Sequence, residues 1–101
     1  VLFGVFAKHS PESCPLNNKN SKAIFLQIEN KMKANLKKHG VSKIIGFYMS
    51  VLEHEWIIIL DAKNAHEIEN LCISVGISAL STIKIVPINE LSVAMKKMSS
   101  T

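Results

Sequence analysis

Residues 44–60, IIGFYMSVLEHEWIIIL, decide how this chain folds. The run is apolar on either side of a short polar interruption, Glu53-His54-Glu55, and each apolar part is strand-sized and too short to cross a bilayer. It reads as a hairpin: one strand from Ile44 to Leu52, a tip at residues 53–55, and a second strand from Trp56 to Leu60. Alternation along an extended chain sends Ile45, Phe47, Met49 and Val51 to one side and Ile44, Tyr48 and Leu52 to the other. In the following strand Trp56, Ile58 and Leu60 oppose Ile57 and Ile59. Both faces are apolar, whereas a sheet with one wet face alternates apolar with polar residues. Something has to cover each face.

Working outward, Leu2 to Lys8 is a further strand, and residues 9–21, with two prolines and a cluster of Asn and Ser, are mostly loop. Ile24, Phe25, Ile28, Met32 and Leu36 recur at helical spacing, which predicts a first helix over about residues 22–38 stopped by Gly40. An earlier start, with Cys14 as cap and Pro15 in the first helical position, is an alternative. Asn64 followed by Glu67 resembles a capping box, and Ile68, Leu71, Cys72 and Val75 form the buried stripe of a second helix that Gly76 ends. Thr82 to Ile88 is the fourth strand, and Asn89 caps a short last helix with Leu91, Met95 and Met98 on one side.

The order is β-α-β-β-α-β plus a C-terminal helix, one domain over residues 1–101 with no repeat or linker. Both main helices are expected on one face of a four-stranded antiparallel α+β sheet, with the first and third strands central and parallel to each other. The other, helix-free face is then an apolar surface that invites a second copy of the chain, sheet against sheet. This order, with its doubly apolar strands, resembles the dimeric α+β barrel superfamily of the ferredoxin-like group. That group includes small cofactor-free monooxygenases, haem-degrading enzymes, muconolactone isomerase and the ligand domains of Lrp-type regulators, so the resemblance implies a fold and a homodimer but no single activity.

The formal charge of +4 rests on twelve basic residues, all lysines. Lacking Arg, the chain has little means for bidentate reading of phosphate or guanine. Lys31, Lys33, Lys37, Lys38 and Lys43 gather at and after the end of the first helix, where cations sit favourably. An RNA-recognition module shares the element order, but its third strand needs aromatic and basic residues, and WIIILD (residues 56–61) has only Trp56 at its start. This argues against a nucleic-acid partner. No stretch is apolar enough for a membrane span, and Val1 to Ala7 lacks the basic and cleavage regions of a secretory signal, so a cytoplasmic protein is expected.

Chemistry is concentrated in His9-Ser10-Pro11-Glu12-Ser13-Cys14-Pro15. This segment resembles an H-x-P-E-x-C-P run found after the first strand in a family of small proteins with no established activity. Imidazole, carboxylate and thiolate within six positions can ligate a transition metal, so His9, Glu12 and Cys14 are both the candidate catalytic set and the candidate metal ligands. Alternatively, a helix start at Cys14 would favour its thiolate with His9 as base, or His9 and Glu12 would do acid–base work on a small organic ligand. If the first and third strands end at one edge, Asp61 and His66 join His9 there, and Tyr48 is a hydrogen-bonding neighbour of a cavity running from Phe3, Val5 and Phe6 toward His9. His54 would then sit on the far hairpin tip, about 20 Å away. A small-molecule site in a small monooxygenase- or isomerase-like enzyme is the leading expectation, against a non-catalytic sensing or protein-interaction domain.

Overall fold

In the structure, a computed structural model that describes residues 1–100, four strands form one antiparallel sheet. The elements in chain order are β1 (Leu2–Lys8), α1 (Lys19–Asn35), β2 (Val41–Ser50), β3 (Glu55–Ala62), α2 (Ala65–Val75), a short α3 (Ile77–Leu80), β4 (Thr82–Pro87) and α4 (Leu91–Ser99). The sheet order is β2-β3-β1-β4, with α1 and α2 packed on one face. Among the described residues no helix is long and apolar enough to cross a membrane.

Local chemistry explains the helix limits. Asn18 Oδ1 accepts from the Ser21 N–H at 3.0 Å, so α1 starts at Lys19, between the two starts that its periodicity suggested. Cys14 is not its cap. The Cys14 carbonyl instead accepts from the N–H groups of Asn17 and Asn18, in a turn that precedes the helix. Asn64 Oδ1 accepts from the Glu67 N–H at 2.9 Å and opens α2 as its capping pattern predicts. Gly40 and Gly76 follow helical turns with φ of 63° and 94°, left-handed conformations that cost any residue with a Cβ far more.

The core lies between the helices and one sheet face. Phe3, Val5 and Ala7 of β1 and Ile58, Leu60 and Ala62 of β3 meet Phe25, Ile28 and Met32 of α1 and Ile68, Leu71, Cys72 and Val75 of α2. Strand β2 departs from simple alternation. Register breaks between Val41 and Lys43 and between Ile44 and Gly46 insert extra residues, so Ile44 and Phe47 both pack on the helical side. Ile45 is exposed, and Gly46 and Tyr48 pair with Ile59 and Ile57 on the other face. Strict alternation would have grouped Ile45 with Phe47 and Ile44 with Tyr48; the bulge reverses both pairings.

The expectation of parallel central strands is also overturned. β1 runs antiparallel to both β3 and β4, with Lys8 opposite Glu55 and Leu2 opposite Asp61. The reason is topological. The crossover through α1 returns β2 in the direction of β1, the hairpin reverses β3, and β3 then inserts beside β1. The end of β1 therefore meets the start of β3, and the hairpin tip with it.

Candidate functional site

The junction of β1 with the β2–β3 tip is the chemically richest place in the molecule. The His9 N–H donates to the His54 carbonyl at 2.9 Å, and the Lys8 ammonium stands 3.8 Å from the Glu53 carboxylate, so the tip is folded over the end of β1. The two imidazole rings lie edge to face with centroids 5.5 Å apart. His54 has φ of 54°, the sole non-glycine with positive φ among the described residues, a conformation that His tolerates at a cost of about 1 kcal/mol or more.

Cys14 comes to the same place by a different route. Pro11–Ser13 form a single 3₁₀ turn; Ser10 Oγ accepts from the Ser13 N–H at 3.2 Å, and the Cys14 N–H donates to the Pro11 carbonyl at 3.3 Å. Asn18 Nδ2 donates to the Glu12 carbonyl at 3.2 Å, tying the turn to the start of α1. The proline-bounded turn thus points Cys14 inward and leaves Glu12 exposed. One ligand atom each of His9, Cys14 and His54 lies within 4.8 Å of the others. His9 is 3% exposed and Cys14 1%.

The electrostatics of the trio are unusual. Neither ring nitrogen of His9 has a hydrogen-bond partner in the protein, nor has Nδ1 of His54. Burial pushes the His9 imidazole below the usual histidine range, and His54 adds a smaller push in the same direction by charge repulsion. His9 is therefore neutral near pH 7, with a lone pair available and little water to occupy it. By contrast Cys72, on the buried face of α2, is raised to about 11 by desolvation and the nearby Glu69, which makes it an inert thiol.

A cleft opens beside this trio. Phe25 of α1 touches the His9 ring edge to face at 5.3 Å and the Trp56 ring at 5.2 Å; Phe47 backs Trp56 at 5.1 Å. Pro15, Leu16, Phe25, Leu26, Met49 and Trp56 wall a space of about 260 Å³, with Lys22 the only charged residue in its lining. Trp56 Nε1 is buried with no partner.

The other residues singled out from sequence fall elsewhere. Tyr48, 60% exposed, lies on the helix-free face over Gly46, and Phe6 leans over Gly4 on that face too. Phe3 and Val5 are buried in the packed core, and the open space near His9 lies under α1 beside Trp56 instead of along them. Asp61 is at the opposite end of β1, 2.7 Å from the Val1 amino group, which holds its carboxyl below the usual range. His66 is exposed, 3.9 Å from Glu69, along a separate groove of about 520 Å³ between α2 and β4. His39, in the turn that follows α1, faces Glu67 at 4.0 Å and Ser74 at 3.4 Å on α2. His54, which sequence reasoning set far from His9, is the residue it missed. Its signal was available: an antiparallel β1–β3 pair puts the hairpin tip at residue 9.

The element order, antiparallel sheet and C-terminal helix define a ferredoxin-like α+β fold of the kind seen in antibiotic biosynthesis monooxygenases. Its likeness to particular solved structures is one of fold alone. A conserved protein of unknown function from Bacteroides thetaiotaomicron shares 15% identity, with 83% of this chain and 89% of that one covered at a TM-score of 0.51. A protein from Deinococcus radiodurans, provisionally assigned as an antibiotic biosynthesis monooxygenase, shares 11% over 88% and 92%, at 0.50. The 5-chloro-2-hydroxyhydroquinone dehydrochlorinase of Burkholderia phenoliruptrix, solved with 2,5-dihydroxybenzoquinone, shares 16% over 89% and 95%, at 0.50. Comparison of the sequence with family models and with curated proteins finds no match.

Proposed function

We propose that this protein is a small enzyme-like domain that takes an apolar, ring-sized acid or phenol into the cleft beside Trp56, against the Phe25 ring that separates the cleft from His9. The observation that carries the reading is the cleft itself. Six apolar side chains and one lysine wall it, and its Phe25 wall is also the wall of His9. The volume of about 260 Å³ is near the small end of ligand pockets. Lys22 favours a carboxylate or phenolate on the ligand. Displacement of the Phe25 ring would open His9 and Cys14 to that ligand; neutral His9 is suited to take a proton, and a thiol at Cys14 to act as nucleophile or second donor. Glu12, on the solvent side of its turn, stays outside this arrangement. A fold neighbour holding 2,5-dihydroxybenzoquinone makes small hydroxylated rings the first probes.

Trp56 is the only tryptophan, so its fluorescence reports the cleft directly. Titration with dihydroxybenzoquinones and hydroxybenzoates is expected to change it saturably, and Leu26→Trp, which fills the space, is expected to abolish binding of the same compounds measured by calorimetry. Equal calorimetric binding by both proteins would overturn the assignment.

The same reading makes the working unit a dimer joined through the helix-free face. Phe6, Ile57, Ile59 and Val86 are only partly covered there, with Tyr48 and Ile45 more exposed still. A contiguous surface of that kind is costly to leave in water. α4 buries none of its own residues and exposes Leu91 and Met95, a second apolar surface for a partner to cover. Sedimentation is expected to give a dimer that Ile59→Lys converts to monomer; a monomer at tens of micromolar in the unaltered protein would contradict the reading.

A further inference from the structure

We propose that His9, Cys14 and His54 bind one copper(I) ion in a three-coordinate site formed where the β2–β3 tip folds over the end of β1. The argument is independent of any ligand in the cleft.

Two imidazoles and one thiol converge, with ligand atoms no more than 4.8 Å apart. Metal–ligand bonds of about 2.0–2.3 Å put the corners of a trigonal or tetrahedral shell roughly 3.3–4.0 Å apart. The present spacing closes to that by side-chain movements below about 1 Å, with no change of backbone. The residues are already committed to their positions: the backbone of His9 is hydrogen-bonded to that of His54, and Cys14 is fixed by the 3₁₀ turn.

Burial without partners is the second observation. A histidine that serves only to fill a core normally has at least one ring nitrogen satisfied, because a polar atom taken out of water without a partner destabilises the fold. Here both nitrogens of His9 and Nδ1 of His54 are unmet. Left-handed backbone at His54 adds a further cost at the same point. A bound cation would take the lone pair of one nitrogen on each ring, and its ligand bonds would offset the cost of the remaining N–H and of the strained backbone, as in a metal site whose ligands are preorganised.

Charge and coordination number choose the ion. Thiolate and imidazole are ligands for soft or borderline metals. Among the described residues no other His, Cys, Asp or Glu joins the group: Glu12 faces solvent, and of the two acids flanking His54, the exposed Glu53 stands 3.8 Å from the Lys8 ammonium and Glu55 lies opposite Lys8 in the sheet. Zinc wants four ligands and would leave a net charge of +1 on the two imidazoles and one thiolate. Copper(I) accepts three and gives a neutral unit, the form least penalised beside the rings of Phe25 and Trp56. Binding releases the Cys14 proton and needs no electron transfer.

The test uses the whole chain, kept reduced with a thiol-free reductant. Copper(I) is supplied as its complex with a chromogenic chelator, and its transfer to the protein is followed by loss of the chelator's colour. One equivalent per chain is expected, with affinity reduced at least 100-fold in Cys14→Ser and in His54→Gly and unchanged in His66→Ala and Cys72→Ala. Circular dichroism checks that each variant is folded. X-ray absorption at the copper edge of the unaltered protein needs no variant, and one sulfur and two nitrogens per ion are expected. A shell without sulfur, undiminished binding by both Cys14→Ser and His54→Gly, or uptake of zinc while copper stays with the chelator would each overturn the proposal.

Discussion

Replacing His9 by Leu should make the metal-free protein more stable, which is the reverse of what truncating a buried core residue does. His9 is 3% exposed and neither ring nitrogen finds a partner, so in the native state it carries an unmet desolvation cost of about 1–3 kcal/mol. Leucine has a similar volume and no polar atom. Against this gain stand the edge contacts of the small imidazole with Phe25 and His54, each at the low end of what an aromatic pair contributes, about 0.5 kcal/mol, or roughly 1 kcal/mol for the two. The expected net is a stabilisation of about 1 kcal/mol at pH 7.5, or about 5 °C in Tm for a chain of this length. Acid should widen the gap. The folded-state pKa of His9 lies below the unfolded value, so below about pH 6.5 the unfolded chain binds a proton that the folded chain resists. The stability of the natural protein therefore falls as pH drops from about 6.5 toward the lowered folded value, and that part of the fall is absent from the variant. Urea unfolding of both proteins with a chelator present, at one protomer concentration and at several pH values from 8 to 5, measures both effects. A variant less stable by more than about 1 kcal/mol, or a difference that stays constant across that range, would refute the reasoning, because either result means that the ring nitrogens are satisfied.

Three further outcomes follow from the same geometry. His54→Gly should be more stable than His54→Ala by about 1 kcal/mol, since the two remove the same ring and differ only in tolerance of φ 54°; chemical denaturation of the pair in parallel decides it. Cys72, raised to about 11, stays protonated in the folded state at pH values where the unfolded thiol, near 9.0, has ionised. Its contribution is present below pH 9 and lost as pH climbs toward 11, about 2 kcal/mol in all, and the stability difference between the natural chain and Cys72→Ala should shift by that amount across this window. Asn18→Ala removes the α1 cap and the bond to the Glu12 carbonyl, so it should cost about 1 kcal/mol by thermal melting and also loosen Cys14, read as faster reaction of that thiol with a disulfide reagent.

Much of the fold could be read from residue pattern. The stripe Ile68, Leu71, Cys72 and Val75, with Asn64 and Glu67 ahead of it and Gly76 behind, marks α2 to within a residue, because caps and periodicity agree there. The doubly apolar hairpin likewise announced a helix-free face rich in Ile and aromatic residues. What could not be read was the side on which β2 places each residue. A bulge leaves no mark in hydrophobicity, and the one between Ile44 and Gly46 exchanges faces for the residues around it. The site was half legible. His9 and Cys14 stood out because unlike functional groups were crowded between prolines, but Glu12 stood out equally and faces solvent. His54 is 45 positions from His9 and joins it only because β3 inserts antiparallel beside β1, a long-range pairing that no local pattern reports. Assuming the opposite direction moved Asp61 and His66 into the site and His54 out of it.

That pairing is the point on which the site stands, and proton NMR of the metal-free protein tests it most directly. With the two imidazoles 5.5 Å apart and Phe25 5.3 Å from His9, cross-relaxation is expected between the ring protons of His9 and His54 and between those of His9 and Phe25. Cross-peaks from His9 to the Asp61 or His66 side chains, with none to His54, would mean that β1 and β3 run in the same direction and that the trio does not exist.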